Sequence, residues 1–331
     1  MTIKNIAVIG AGSWGTALAV TLSDKGHKVK IWDLNGEHLE ECRKNRENVR
    51  FLPGVKFGDN LTTASTPEET IKDADVVLFS APAQHFRSAL TTAIPFLKDN
   101  MVLVNVAKGI EQKTLKRMSE IAEELLPAAK YVVLSGPSHA EEVGLKLPTT
   151  VTVVSKDLAL AEYIQDVFIT DRFRVYTNHD IIGVELGGAL KNIIALAAGI
   201  SDGMGFGDNA KAAMMTRGIV EIARLGVALG GEASTFWGLT GMGDLIVTCT
   251  SMHSRNRRCG MLIGQGMAPA DAVAQVGMVV EGMYTAEAAY ELAKKVGVEM
   301  PFTDRIYKVI RGEMDARTAA VELMTRERKH E

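Results

Sequence analysis

The sequence predicts an α/β protein, with a doubly wound sheet domain followed by an all-helical C-terminal domain. Three observations predict it. The N-terminal half alternates short valine- and isoleucine-rich runs with helical patterns, as strands covered on both faces alternate with crossover helices. Gly10-Ala11-Gly12-Ser13-Trp14-Gly15 follows the first run directly and opens an alanine-rich helical pattern. From about His179 long stretches read as helix, with few strand candidates.

In chain order, the strand candidates are 3–9, 29–32, 76–80, 101–106, 131–135 and 150–154, with 173–177 closing the domain. Helical patterns between them include 16–25 and 114–126. Beyond the junction, 180–201 carries Gly187-Gly188 and Ala197-Ala198, which suggests closely packed helices. Further helix candidates are 211–229, 268–275, 285–296 and 303–312, interrupted by glycine-bearing loops around 241–244 and 277–282. No Pro/Gly/Ser-rich spacer marks the boundary, expected near 178–185. The expected domains are 1–180, binding a dinucleotide, and 181–331, helical and binding substrate.

Composition bounds the function. A chain of 331 residues is long enough for two domains. At 47% hydrophobic and 23% charged residues it can bury a core without disulfides or metals. Its formal charge of −3 argues against general nucleic-acid binding, which needs surplus cations, but leaves room for a local basic pocket. Cys42, Cys249 and Cys259 form no C-x-x-C pair and no metal-ligand spacing, so neither a disulfide nor a metal is expected, and a reducing cytoplasm fits. No apolar run is read as reaching the ~18 residues of a membrane span. No signal-peptide layout opens the chain. The expected partners are small molecules.

The glycine motif alone is weak. Its context strengthens it, because Asp33 lies 18 residues after Gly15 at the end of the second strand. This is the Rossmann-type arrangement. Gly10 permits the tight turn, Gly12 leaves room for a pyrophosphate, and Gly15 lets the helix approach the sheet. The helix N-terminus offers N–H groups and a positive dipole to phosphates. Asp33 suits a ribose 2′-hydroxyl, which favours NAD over NADP. Arg43, Lys44, Arg46 and Arg50 follow, each either a solvated surface cation or a partner for a 2′-phosphate.

A nicotinamide site also needs substrate-binding groups and a proton-handling group. Lys108 follows a strand at the carboxyl edge, where open α/β sheets bind ligands. Lys191 interrupts the most apolar helix of the chain; it either snorkels to water or serves chemistry. Asp244 and Thr248 are four apart, so a helix sets them on one face; Asp244 as a simple N-cap is the alternative. Ser254-Arg255-Asn256-Arg257-Arg258 reads as a phosphate cradle at a helix start, or as a solvated basic turn. Gly136-Pro137-Ser138-His139-Ala140 is a turn at the ligand edge. His85 and His139 are single loop histidines that read as ordinary hydrogen-bonding groups, with acid–base chemistry the alternative.

These motifs, together with Lys108-Gly-Ile-Glu111, Gly188-Ala-Leu-Lys-Asn192, Gly241-Met-Gly-Asp-Leu245 and Val279-Val-Glu-Gly282, resemble those of the bacterial NAD(P)-dependent glycerol-3-phosphate dehydrogenases along nearly the whole chain. The resemblance implies interconversion of sn-glycerol 3-phosphate and dihydroxyacetone phosphate with NAD or NADP (NADH or NADPH), supplying glycerol 3-phosphate for phospholipid synthesis. It implies a cytoplasmic homodimer. It places the general acid/base on Lys191, with Lys108, Asn192, Asp244 and Thr248 around the reacting carbon. Gly136 and Ser138 line the substrate site, and Ser254, Arg255 and Asn256 hold the substrate phosphate. Cofactor contacts fall on Ser13, Trp14, Arg50, Lys108, Ala140, Arg255, Val279 and Glu281, beside Gly10, Gly12, Gly15 and Asp33. Asp33 departs from the many bacterial members that prefer NADPH and carry no acid there. The rival readings are a two-domain dehydrogenase of a 3-hydroxy acid or sugar acid, and a cofactor-sensing protein without turnover.

Overall fold

In the computed structural model, which describes residues 2–328, eight strands form one sheet in the order β3-β2-β1-β4-β5-β6-β7-β8. They are β1 (Asn5–Ile9), β2 (Lys28–Trp32), β3 (Leu61–Thr63), β4 (Val76–Phe79), β5 (Val102–Asn105), β6 (Lys130–Ser135), β7 (Thr149–Val154) and β8 (Phe173–Asn178). Seven helices accompany them: α1 (Ser13–Asp24), α2 (Gly36–Asn45), α3 (Pro67–Ile71), α4 (Phe86–Ala93), α5 (Met118–Leu125), α6 (Ala140–Gly144) and α7 (Leu158–Phe168). The chain runs outward from β1 to β3 and returns to β4. The strand order therefore reverses between β1 and β4, where such sheets open a ligand crevice beyond the carboxyl ends.

Side chains alternate across the pleat, and both faces are apolar. Ile6, Val8, Leu78 and Val104 face a core shared with Leu18 and Leu22 of α1 and Ile164 of α7. Ala7, Ile9, Phe79 and Leu103 face a second core with Phe86 and Leu90 of α4 and Ile121 of α5. Two details depart from the sequence reading. β3 is only three residues long and leaves no apolar run to read. β7 pairs antiparallel with β6, Ser135 opposite Thr152, whereas the other pairs are parallel. An antiparallel neighbour needs no crossover, so 136–148 joins adjacent strand ends and a five-residue α6 suffices.

Contacts divide the chain into two units. One comprises residues up to Lys108 with Lys116–Ile181; the other comprises Gly109–Leu115 with the chain from Ile182. The second is all-helical: α8 (Ile181–Gly203), α9 (Gly207–Ala228), α10 (Ala233–Phe236), α11 (Asp244–Thr250), α12 (Arg255–Gly264), α13 (Pro269–Val276), α14 (Glu281–Val296), α15 (Pro301–Ile310) and α16 (Ala316–Met324). The expected loop at 241–244 is instead a wide helical turn, Leu239–Gly243, running straight into α11. The expectation of no membrane-length apolar run is also corrected. α8 holds an 18-residue stretch long and apolar enough to cross a bilayer, but 94% of it is buried and it forms the core of this unit.

Glycines set how close α8 and α12 come. A β-carbon on Gly199 or Gly203 would overlap the carbonyl oxygen of Arg257 or Met261, and one on Gly260 or Gly264 that of Leu196 or Ile200. Each helix thus presents two glycines four residues apart, one turn of the same face. The two backbones touch, which carries the start of α12 to the middle of α8.

Candidate active site

The first unit builds its loop from β1 and β4. Gly10 lies at φ +110°, and a β-carbon there would crowd the Ser80–Ala81 backbone at 3.1 Å. One on Gly15 would overlap the Gly10 carbonyl and the Ser80 hydroxyl. At Gly12 nothing lies within 4 Å of the β-carbon position. Two glycines are therefore demanded by the fold, while the third faces open space at the start of α1. That is a cradle fit for a pyrophosphate. Ser13 is the buried first residue of α1. The half-buried indole of Trp14 follows, its Nε1 without a hydrogen-bond partner among the described residues.

The loop is anchored on every side. The Ser80 hydroxyl donates to the Gly10 carbonyl (3.0 Å), and the Asp33 carboxylate accepts from the Ala11 N–H (2.7 Å) and the Asn35 N–H (3.0 Å). Asn48 Nδ2 donates to the Ala11 carbonyl at 2.8 Å, and His38 Nε2 lies 3.2 Å from the same oxygen. Asn48 and His38 went unread in the sequence, since neither sits at a recognisable spacing. Among the downstream cations, Arg46 is not available to a cofactor phosphate. Its guanidinium donates to the carbonyls of Leu61, Phe57 and Gly58. Arg43 is held by Thr63, Glu40 and Ser65. Arg50 is exposed, 5.1 Å from the centre of the Phe51 ring.

Farther along the carboxyl edge, Lys108 Nζ and Ser138 Oγ both donate to the Gly136 carbonyl, at 2.8 and 2.9 Å. Gly136 has φ +137°, and a β-carbon there would stand 3.0 Å from Val151 Cα. Only glycine fits this turn, which leads past half-buried His139 to Ala140 at the start of α6.

In the second unit, Lys191 Nζ donates to Asp244 Oδ1 (2.7 Å) and to Thr248 Oγ1 (2.6 Å). The Lys191 and Asp244 side chains are 7% and 2% exposed. Asp244 and Thr248 stand one turn apart on α11, as their spacing predicted. The Thr248 hydroxyl gives its proton to the Asp244 backbone carbonyl (2.6 Å), which turns a lone pair toward Lys191. Lys191 does not snorkel. Next to it on α8, Asn192 accepts from Asn256 Nδ2 (2.9 Å), and Asn256 Oδ1 accepts from the Gly282 N–H (2.8 Å). That chain ties α8, α12 and the start of α14, where Val279 and Glu281 are half-buried. Nearby, burial pushes the Cys249 thiol up to about 12.

The basic run at α12 divides in two. Ser254 caps the helix, its side chain accepting from the Arg257 N–H (3.2 Å). Arg257 is bound by Asp202 (2.7 and 2.8 Å) and the Thr250 carbonyl, so the three-arginine cradle read from the sequence loses that member. Arg255 and Arg258 are half-buried, and Arg258 Nε meets no hydrogen-bond partner among the described residues.

Comparison with known proteins assigns the chain. The family models described as NAD-dependent glycerol-3-phosphate dehydrogenase N-terminus and C-terminus match residues 5–161 and 180–321. The glycerol-3-phosphate dehydrogenases (NAD(P)+) of Clostridium tetani and Bacillus subtilis are 51% and 52% identical to it, covering 100% and 99% of this chain and 95% and 96% of their own. The crystal structure of glycerol-3-phosphate dehydrogenase from Coxiella burnetii superposes with a TM-score of 0.95 at 37% identity, over 98% of this chain and 99% of that one. With a glycine cradle on one unit and a buried lysine–carboxylate pair on the other, this chain belongs to the NAD-dependent glycerol-3-phosphate dehydrogenase family.

Proposed function

We propose that Lys191 is the general acid/base of this enzyme, which interconverts glycerol 3-phosphate and dihydroxyacetone phosphate with NAD or NADP. The observation that carries the proposal is the buried ammonium held at 2.7 Å by Asp244 and 2.6 Å by Thr248. Held at Gly10–Gly15, a bound cofactor would supply hydride chemistry at the C2 carbon, in either direction. Negative charge then develops on the carbonyl oxygen. Lys191 Nζ, positively charged and fixed by two partners, donates a hydrogen bond to that oxygen and then its proton. In the oxidation the neutral amine removes the C2 hydroxyl proton. Asp244 orients the amine and favours its charged form, and Thr248 limits its rotation.

Arg255, at the start of α12, is proposed to hold the substrate phosphate with Ser254, whose hydroxyl proton is not consumed by its cap. A charged anchor remote from C2 supplies binding energy for orientation. Asn256 and Asn192, locked to each other, hold this helix start in place. In the first unit, the proposed cofactor contacts are Gly10–Gly15, Asp33, Arg50 and Ala140, and the proposed substrate contacts are Lys108, Gly136 and Ser138. Lys108 and Arg255 are proposed to contact cofactor as well, with Val279 and Glu281. A dinucleotide-binding domain at 1–180 and a substrate domain at 181–331, in a cytoplasmic homodimer feeding phospholipid synthesis, complete this reading. The test is oxidation of NADH and NADPH, in parallel, by purified protein with dihydroxyacetone phosphate. No turnover with either, despite tight cofactor binding, would overturn it.

A further inference from the structure

We propose that Asn48, seconded by His38, is a positioning residue for the cofactor pyrophosphate. It acts through the Ala11–Gly12 peptide and touches no ligand itself. The inference rests on the reading of Gly10–Gly15 as the cofactor loop.

Asn48 is fully buried, and its whole amide is used. Nδ2 donates to the Ala11 carbonyl and to Thr16 Oγ1, both at 2.8 Å, while Oδ1 accepts from the Phe51 N–H at 3.0 Å. His38, 3% exposed, brings Nε2 to 3.2 Å from the same Ala11 oxygen, a contact that requires the ring proton on Nε2. The segment bearing Asn48 is itself rigidly held. Glu47 accepts from the Gly54 N–H at 2.6 Å, Leu52 N–H bonds the Asn48 carbonyl at 2.8 Å, and Arg46 binds three carbonyls.

The consequence follows from peptide geometry. In a trans peptide the carbonyl and the next N–H point in opposite directions. Two donors draw the Ala11 oxygen inward, which turns the Gly12 N–H outward. The preceding peptide is fixed as well, because Ser80 binds the Gly10 carbonyl and Asp33 binds the Ala11 N–H. Two successive peptide planes are thus set before any ligand arrives. Pre-set N–H donors bind an anion without reorganising. A loop with these carbonyls unpinned would present carbonyl oxygens to the phosphates for part of the time.

Asn48→Asp tests this at constant volume. It keeps the acceptor for Phe51 and turns both donors into an oxygen facing the Ala11 oxygen. The dissociation constant of NADH, read by fluorescence titration, should rise about tenfold or more, in the range expected when a buried acceptor loses its donor. At saturating NADH, kcat and the KM for dihydroxyacetone phosphate should change less than about threefold, since Asn48 lies on no proton path. A folded Asn48→Asp protein with NADH affinity within about twofold of wild type, even if its melting temperature falls, overturns the proposal. If Asn48→Asp does not fold, His38→Leu removes the weaker donor alone and should weaken NADH about three- to tenfold; unchanged affinity there overturns it equally. Gly12→Val separates this inference from the reading beneath it. If Gly12→Val leaves NADH binding intact, the loop is not the cofactor site. If it abolishes binding while Asn48→Asp does not weaken it, only the clamp is lost.

Discussion

Lys191→Met should abolish turnover and destabilise the helical unit, for two separable reasons. The Lys191 ammonium and the Asp244 carboxylate are 7% and 2% exposed and 2.7 Å apart. Methionine fills the space of the lysine stem but leaves Asp244 as a buried charge without its cation. Breaking one side of a buried pair costs about 3–5 kcal/mol. Loss of a single acid/base group lowers rate by about 10²–10⁴. The double variant Lys191→Met/Asp244→Asn removes the stranded charge, so most of the lost stability should return while activity stays absent. Urea unfolding measures the first effect, and NADH oxidation with dihydroxyacetone phosphate the second. A Lys191→Met enzyme keeping more than about a tenth of the wild-type rate would remove Lys191 from the chemistry. A destabilisation below about 1 kcal/mol, the range of an exposed pair, would show that water reaches the two groups in solution.

Arg255→Ala should raise the KM for dihydroxyacetone phosphate about ten- to a hundredfold and barely worsen turnover of dihydroxyacetone, which lacks the phosphate; equal damage to both substrates would make Arg255 structural or a residue that serves the cofactor instead. Arg257→Ala should act instead on stability, measured by thermal melting, because it takes from Asp202 one of its two cations, leaving Lys211 alone on that carboxylate. Asp33→Asn should raise the ratio of kcat/KM for NADPH to that for NADH by relieving repulsion of a 2′-phosphate; an unchanged ratio would show that the carboxylate serves only the Ala11 and Asn35 N–H groups. Glu221 is buried while accepting from the N–H groups of Phe302 and Thr303 and from the Thr303 hydroxyl, and burial pushes its carboxyl above the ordinary range. Its protonated form therefore stabilises fully below the unfolded value, about pH 4.3, and that contribution is lost as pH rises through the folded value. The unfolding free energy of wild type minus that of Glu221→Gln should fall across this window; a difference that grows with pH would reverse the assignment.

The strands and the glycine loop were legible because their signals are local. A valine-rich run or a G-x-G-x-x-G after a strand is read within a dozen residues. Strand direction was not legible, since β7 carries the same apolar alternation whether it pairs parallel or antiparallel. The pair Asp244/Thr248 was legible as one helical face, but its meeting with Lys191, 53 residues away from Asp244, was not. Asn48 was invisible for the same reason. Its partners Ala11 and Thr16 lie 37 and 32 residues back, and an asparagine in a polar stretch announces no partner. Such contacts exist only after the chain has closed on itself.

The run Ser254–Arg258 shows why a basic motif overstates its ligand. Successive helical residues turn by about 100°, so Arg257 stands about 200° from Arg255 on α12, and Arg258 about 60° from Arg255 on the other side. One anion near Arg255 lies within reach of Arg258 and out of reach of Arg257. The structure follows that geometry, with Arg257 turned to Asp202. Asn256, between the two faces, bonds Asn192 and Gly282. Ser254 closes the first turn. Asn256 and Arg257 thus hold the helix start against α8, and the glycines of both helices make that approach possible. A phosphate-binding arginine is useful only if its backbone stays within about half an ångström of the productive position. The bonds of Asn256 and Arg257 fix Arg255 relative to Lys191, and in the proposed reaction they would thereby set the substrate phosphate relative to the reacting carbon.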